Sequence, residues 1–421
     1  MTTHAAPILD VALFGAIPRY GDLCMNAVID LRRSFDRSAI ERAVERTVEA
    51  FPVLGSRYAP RFWRDQWVRL DTPAAEAVHV EDERDLEGQT DTWVRRPFDL
   101  TRERPLRVLG IQRARGMRLI LSLMHVAVDG AGVAAVGHVF GAHLYGVDPA
   151  VPTEQRRDLR RALGGLGWLH VPVLARGMVS AALRPLRQAF AGRRTEAYPS
   201  APSAPAAWRT LVFPREQMDA IRARCGGATV NDVLVGAFAR VSARRSKDSK
   251  VVVSYTMDLR RYGREPRLIA ANTSSVLSAI LPRADLGTLE RAVASASAAT
   301  KRDRARLFGP ALLVGPTLLG AILPTAVTRS LIPVIGAAAV DVPLDRGMAL
   351  TNVGRVDDGL RAFGEDIEGL RIVGPRIAGV PVPLVVAFGF RGALHLEMYA
   401  APGVGAEALE VLEREIREAM T

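Results

Sequence analysis

His125 and Asp129 stand four residues apart in the stretch RLILSLMHVAVDGAG, Arg118 to Gly132. Three readings suit that spacing. On a helix the pair would share one face and could hold a metal ion. Gly130 and Gly132 argue against a helix there, and no third ligand stands nearby; His138 and His143, five apart in the following segment, fall on different faces. A buried histidine satisfied by hydrogen bonds is the second reading and asks for no chemistry. The third is a general base, because imidazole has an unperturbed pKa of about 6.5, close to working pH. Asp129 would then hold the local structure.

A base has to be carried by something rigid. The run before His125 is apolar almost throughout, as in a strand buried on both faces. The glycines at 130 and 132 end that strand, and an apolar helical pattern follows from Val133 to about Tyr145. The stretch therefore predicts strand, turn and helix, with His125 near the strand end. Upstream, residues 8–35 read as early strands and a loop. Ile40, Ala43, Val44 and Val48 then form one stripe of an amphipathic helix, capped by Asp36 or Ser38 and ended by Phe51-Pro52. Residues 91–113 read as a short helix or loop, RPFDLTRERP, and then a strand, and residues 158–187 suggest amphipathic helices. The segment 192–207, GRRTEAYPSAPSAPAA, reads as a linker, which divides the chain into domains 1–191 and 208–421.

In the second half the pattern gives a strand around Leu211 and a helix from Pro214 stopped by Gly226-Gly227. Another helix comes next, capped by Thr229, then strand KVVVSYTMDLRR, a helix from Thr288 to Arg306 and a closing helix from Ala406. The uncharged run Leu307–Val327 is long enough to span a bilayer. Pro310, Pro316, Pro324 and its interior glycines instead predict broken helices packed inside the protein.

At 421 residues two domains are expected. The formal charge of +11, from 56 basic against 45 acidic residues, favours anionic partners: phosphorylated cofactors, acidic carrier proteins or a lipid head-group surface. With aromatic residues at 6% and no basic–aromatic repeat, nucleic acid is not expected. Cys24 and Cys225 give neither a disulfide framework nor a metal spacing, as in a reducing cytoplasm, and MTTHAAPILD lacks a signal-peptide pattern. The other polar features have plain readings: Asp232 as a first-turn helix acid, Cys225 as an unactivated thiol, His79 in an alternating strand, and His395 with Glu397 on a strand surface.

Segments along the chain resemble, in order, the superfamily of chloramphenicol acetyltransferase-like acyltransferases. It includes nonribosomal-peptide condensation domains, polyketide-associated acyltransferases and wax ester synthase/diacylglycerol acyltransferases. FDRSAIERAVERTVEAFPVLGSRY is similar to their first helix and its exit, and RPFDLTRERPLRV to their "PFDL…PLR" segment. MHVAVDG matches the motif H-H-x-x-x-D-G except at its first position, Met124. ATVNDVLVGAFARV is similar to the "TVNDV" helix, MDLRR to the "DLR" strand end, TNVG (Thr351–Gly354) to the "SNxG" turn, and AFGFRGALHLEMY to the last strands. The resemblance covers nearly the whole chain outside 146–207.

It implies an α/β (α+β) fold of two similar subdomains, mixed sheets flanked by helices, with a tunnel at their interface. His125 would be the catalytic base, taking the proton from an acceptor hydroxyl or amine as it attacks an acyl thioester. Backbone N–H groups near Gly130, or polar groups near Thr351 and Asn352, are candidates for binding substrate and the developing oxyanion. Asp129 would point away from substrate and pair with Arg260. No metal and no permanently bound cofactor is implied; acyl-CoA or a phosphopantetheine-linked acyl group is the substrate. An acyl-carrier protein and a membrane surface are further partners to test, with the protein in the cytoplasm or at the inner face of the membrane. Ester formation on a lipid-like or natural-product alcohol is the leading expectation. The alternatives are a free-standing amide-forming condensation enzyme and a non-catalytic binding protein, for which Met124 is the one supporting residue. Strand alternation sets 124 and 125 on opposite faces, so the loss of the first histidine should be tolerated.

Overall fold

The computed structural model describes residues 3–150, 157, 163–183, 198–200, 203–263, 268–336, 349–377 and 383–421. In chain order the strands are β1 (Thr3–Ala5), β2 (Cys24–Leu31), β3 (Ser56–Ala59), β4 (Gln66–Arg69), β5 (Val78–Asp82), β6 (Leu106–Gln112) and β7 (Met117–Met124). They continue as β8 (Ala207–Phe213), β9 (Lys250–Asp258), β10 (Ser274–Pro282), β11 (Ala349–Arg355), β12 (Ile367–Val373), β13 (Leu384–Phe390) and β14 (Ala393–Ala400). The helices are α1 (Ile8–Tyr20), α2 (Arg37–Ala50), α3 (Leu86–Arg95), α4 (Gly130–Leu144), α5 (Val171–Ala182) and α6 (Arg215–Arg224). Then come α7 (Val230–Arg244), α8 (Leu289–Ala305), α9 (Phe308–Ile322), α10 (Thr325–Gly336) and α11 (Gly405–Met420).

Two mixed sheets carry the architecture. The first runs β12-β2-β7-β6-β5 and the second β10-β9-β11-β13-β14-β8, beside a small sheet β1-β4-β3. Each large sheet packs against helices that bury an apolar face: Ile40, Val44 and Val48 of α2 with Val136 and Phe140 of α4 in the first half, and Val233, Phe238, Val293, Leu409 and Ile416 in the second. Strand β12 comes from the second half of the chain and pairs with β2 as the edge of the first sheet. The chain thus returns to its first half before β13 and β14 complete the second sheet. Most of the 192–207 segment expected as a linker lies outside the described residues, as does much of 158–187.

Local signals placed most elements. Asp36 caps α2 by accepting from the Ala39 amide at 2.6 Å, Thr229 caps α7 and Thr288 caps α8. Gly226 and Gly227 stop α6 with positive φ. Four expectations are corrected. Residues 8–20 form a helix rather than early strands, with Asp10 suiting its first turn and Pro18 in its last. The helix after β5 is earlier than expected and is capped by Asp85. The run Leu307–Val327 does break, between α9 and α10, but it is not packed wholly inside: Leu318, Ile322 and Val327 are exposed. Glu397, expected on a surface, is only 4% exposed, because the face of β14 that carries it turns toward the first half of the chain.

Candidate active site

Every residue of β7 is buried, so the strand is a rigid stem for the histidine turn. Its last residue, Met124, pairs with Cys24 of β2. The His125 amide then donates to the Leu23 carbonyl at 2.9 Å, and the Ala127 amide to the Met124 carbonyl at 2.9 Å, which turns the chain. Met124 is 1% exposed and belongs to the apolar core. His125 is half-buried. Its Nδ1 is sealed from solvent without a hydrogen-bond partner among the described residues, so Nε2 is the candidate nitrogen for an incoming molecule. The ring nitrogen with the free lone pair is the one a general base needs.

Asp129 closes the turn as the N-cap of α4, accepting from the Gly132 amide at 2.9 Å. Arg260, on the short 3₁₀ turn after β9, donates Nη2 to Oδ1 at 2.8 Å and Nη1 to Oδ2 at 3.0 Å. The Thr273 amide and the Ser274 hydroxyl each reach Oδ2 at 2.8 Å. Burial alone would raise the Asp129 pKa, but the Arg260 charge and these donors outweigh it and bring it down to about 2. Arg260 is held in turn by Asp258 and by the carbonyls of Ile269 and Ala271. The pair therefore ties the helix cap of the first half to β9 and β10 of the second.

Gly130 is the first residue of α4, not a turn residue with special φ. A side chain there would bring Cβ within 3.3 Å of Val353, so the glycine lets the motif approach the TNVG segment of β11. In that segment Asn352 Oδ1 accepts from the Gly354 amide at 2.9 Å, across a bulge in which Gly354 takes φ +88°. Asn352 Nδ2 points to Asn231 Oδ1 at 3.4 Å, and its amide donates to the Thr256 hydroxyl at 3.2 Å. The Asn352 side chain thus shapes its own bulge. Thr351 is half-buried beside it, in register with Val386.

A second polar cluster escaped the sequence reading. Asp10 of α1 is fully buried and accepts from Trp67 Nε1 at 2.8 Å, Arg157 Nη1 at 2.7 Å and Asn272 Nδ2 at 3.1 Å. Burial pushes the Asp10 carboxyl up, against the pull of Arg157. The same Asn272 amide donates to the Val126 carbonyl at 2.9 Å, and Arg157 also donates to the carbonyls of Ala127 and Ala270. These bonds fix the carbonyls of the two residues that follow His125. The members lie in four separate parts of the chain, so the one local trace was an acid in an unrecognised helix. Among the described residues no group of three or more His, Cys, Asp or Glu could hold a metal ion.

Two α/β halves, clasped by β12 and by the Asp129–Arg260 pair, with a histidine loop at their seam, form the chloramphenicol acetyltransferase-like condensation fold. Solved structures share it over the whole chain. A trichothecene 15-O-acetyltransferase from Fusarium sporotrichioides superposes with TM-score 0.73 at 11% identity, covering 99% of this chain and 95% of that one. The first condensation domain of the CDA synthetase gives 0.70 at 18%, over 100% and 95%. The starter condensation domain of rhizomide synthetase, solved with C8-CoA and Leu-SNAC, gives 0.68 at 14%, over 100% and 94%. No family model and no curated relative matches the sequence; at these identities the likeness shows the fold.

Proposed function

We propose that the protein is an acyltransferase that moves an acyl group from a thioester, acyl-CoA or acyl-carrier protein, to a hydroxyl of a lipid-like or natural-product acceptor. The observation that carries this is the place of half-buried His125 at the end of a buried strand, with its loop held by Asp129–Arg260 on one side and Asn272–Arg157 on the other. Nε2 takes the acceptor proton as the oxygen attacks the thioester carbonyl; the oxyanion collapses, the C–S bond breaks, and the proton passes to the departing thiolate. Amides at the N-terminus of α4 are candidates to stabilise the oxyanion. The likeness to a 15-O-acetyltransferase and to a condensation domain solved with C8-CoA supports acyl-thioester chemistry without naming this chain's substrates.

An amine acceptor would use the same proton transfer, and the condensation-domain neighbours favour that as the second reading. Turnover with CoA-linked against carrier-linked donors, and with alcohol against amine acceptors, separates the two. His125→Ala is expected to lower turnover by about 10²–10⁴ while leaving the melting temperature unchanged. Unaltered turnover would remove His125 from the chemistry.

A further inference from the structure

Large apolar side chains are left open to solvent on three segments that pack against one another. Phe62 and Trp63 sit on the loop between β3 and β4, their rings edge to face at 5.4 Å. That loop is stitched to the α9–α10 turn: the Thr325 amide donates to the Trp63 carbonyl at 3.1 Å, the Ala326 amide to the Phe62 carbonyl at 3.0 Å, and Arg64 reaches the carbonyls of Leu323 and Ala321. Along the two helices, Leu318 with Ile322 and Val327 with Leu331 repeat at four-residue spacing and stay exposed. Such stripes face a core in an ordinary surface helix; here they face outward. The third segment is α5 with its lead-in. Gly177 is its contact with α9, where a Cβ would come within 2.9 Å of Ala311, and Val171, Val179 and Leu183 lie exposed with Trp168 and Leu169. Trp168 is 80%, Ile322 77% and Trp63 64% open.

The charge on these segments has one sign. Residues 60–64, 163–183 and 306–331 contain no Asp or Glu, yet include Arg61, Arg64, Arg176, Arg306 and Arg329; of these only Arg329 has an acidic partner among the described residues, Asp65. No single described helix is long and apolar enough to cross a membrane. Exposed tryptophans, aliphatic stripes and arginines on these segments match the chemistry of a lipid interface, where apolar groups enter the acyl boundary and guanidinium groups meet phosphates.

The face is also close to the histidine loop in the packing order. Gly320 of α9 lies against Ile8 of α1, and Gly15 of α1 against Arg329 of α10. From the same helix Asp10 reaches Asn272, which holds the Val126 carbonyl. One helix layer therefore separates the open apolar face from the residues after His125.

We propose that this face, formed by Phe62–Trp63, α5 and the α9–α10 pair, docks the protein on an anionic phospholipid bilayer. Its relevance to an apolar acceptor or donor rests on the acyl-transfer reading above; the docking itself does not. The test is flotation of the full chain with vesicles of phosphatidylcholine alone and of phosphatidylcholine with phosphatidylglycerol, at low and high salt, together with tryptophan emission. The expected result is binding to the anionic vesicles, weakened by salt, with a blue shift. Trp63→Ser, Trp168→Ser and Ile322→Ser should each lower the partition coefficient by about tenfold. Being exposed, they should leave melting temperature and turnover on a water-soluble short-chain substrate as in the parent. Arg61→Gln with Arg176→Gln should flatten the salt dependence. Failure of the parent chain to float with anionic vesicles overturns the proposal, as do serine variants that float like the parent. A dimer that forms without lipid and is broken by the same serine variants would assign the face to a second copy instead. Lost vesicle binding with intact soluble turnover would leave the acyl-transfer reading standing, and inactive protein that still floats would do the reverse.

Discussion

Replacing Asp129 by Asn is the sharpest test of how the site is built. Asparagine has the same shape and is as good an N-cap acceptor, so the bond from the Gly132 amide survives. What is lost is the charge facing Arg260, which is only 4% exposed. Two magnitudes bear on the cost. The carboxyl pKa falls from its ordinary 3.8 to about 2 in the folded chain, worth roughly 2–3 kcal/mol of stability. A buried pair broken on one side costs about 3–5 kcal/mol, because the remaining charge is uncompensated. The second figure is larger since it supposes a stranded guanidinium; Asp258 still faces Arg260 at 3.2 Å, so Asp129→Asn at neutral pH should cost about 2–3 kcal/mol, the first figure. The pH dependence has a definite sign. A depressed carboxyl pKa contributes stability that is complete above the unfolded value near 4 and is lost as pH falls toward 2. The parent chain should lose this contribution over that interval, and Asp129→Asn should not. Urea unfolding followed by circular dichroism and by tryptophan fluorescence gives the free energy where the two transitions coincide. A loss below about 1 kcal/mol would refute the reasoning. So would a double variant with Arg260→Met whose cost equals the sum of the single ones, since coupled partners cannot be additive.

Three further outcomes are expected of the same structure. Met124→His would recreate the double-histidine motif, but residue 124 packs in the apolar core, so stability should fall by about 1–3 kcal/mol; a gain in turnover would show that the position addresses substrate after all. Glu397, in a pocket with Thr210, Arg371 and Trp208, is pushed by burial up to about 7 from an ordinary 4.5. A raised carboxyl pKa gives stability that is full below the unfolded value and lost as pH rises to about 7, so above neutrality Glu397→Gln should be more stable than the parent by roughly 3–4 kcal/mol; unfolding curves that coincide at acid and alkaline pH would contradict this. Gly141→Ala would set a Cβ 2.4 Å from the Phe363 ring, and overpacking there should cost about 1–3 kcal/mol in a thermal melt; an unchanged melting temperature would show that Phe363 has room to move.

Much of the site was legible from the sequence because its signals are local. The apolar run into a Gly-rich break placed His125 at the end of β7, and spacing within one helical turn marked Asp36 and Thr229 as caps. The resemblance of MHVAVDG and MDLRR to one superfamily supplied the Asp129–Arg260 pair, which spacing alone could not, since 131 residues separate the partners. Tertiary structure decided the rest. It recruited Asp10 and Asn272, 262 residues apart, into one cluster behind the histidine. It also returned β12 to the first sheet, buried Glu397, and left the stripes of α9 and α10 facing outward. Periodicity says that a helix or strand has an apolar face, not what covers it. That depends on which distant segments the topology brings together, and here nothing within the described chain covers the face of α5, α9 and α10.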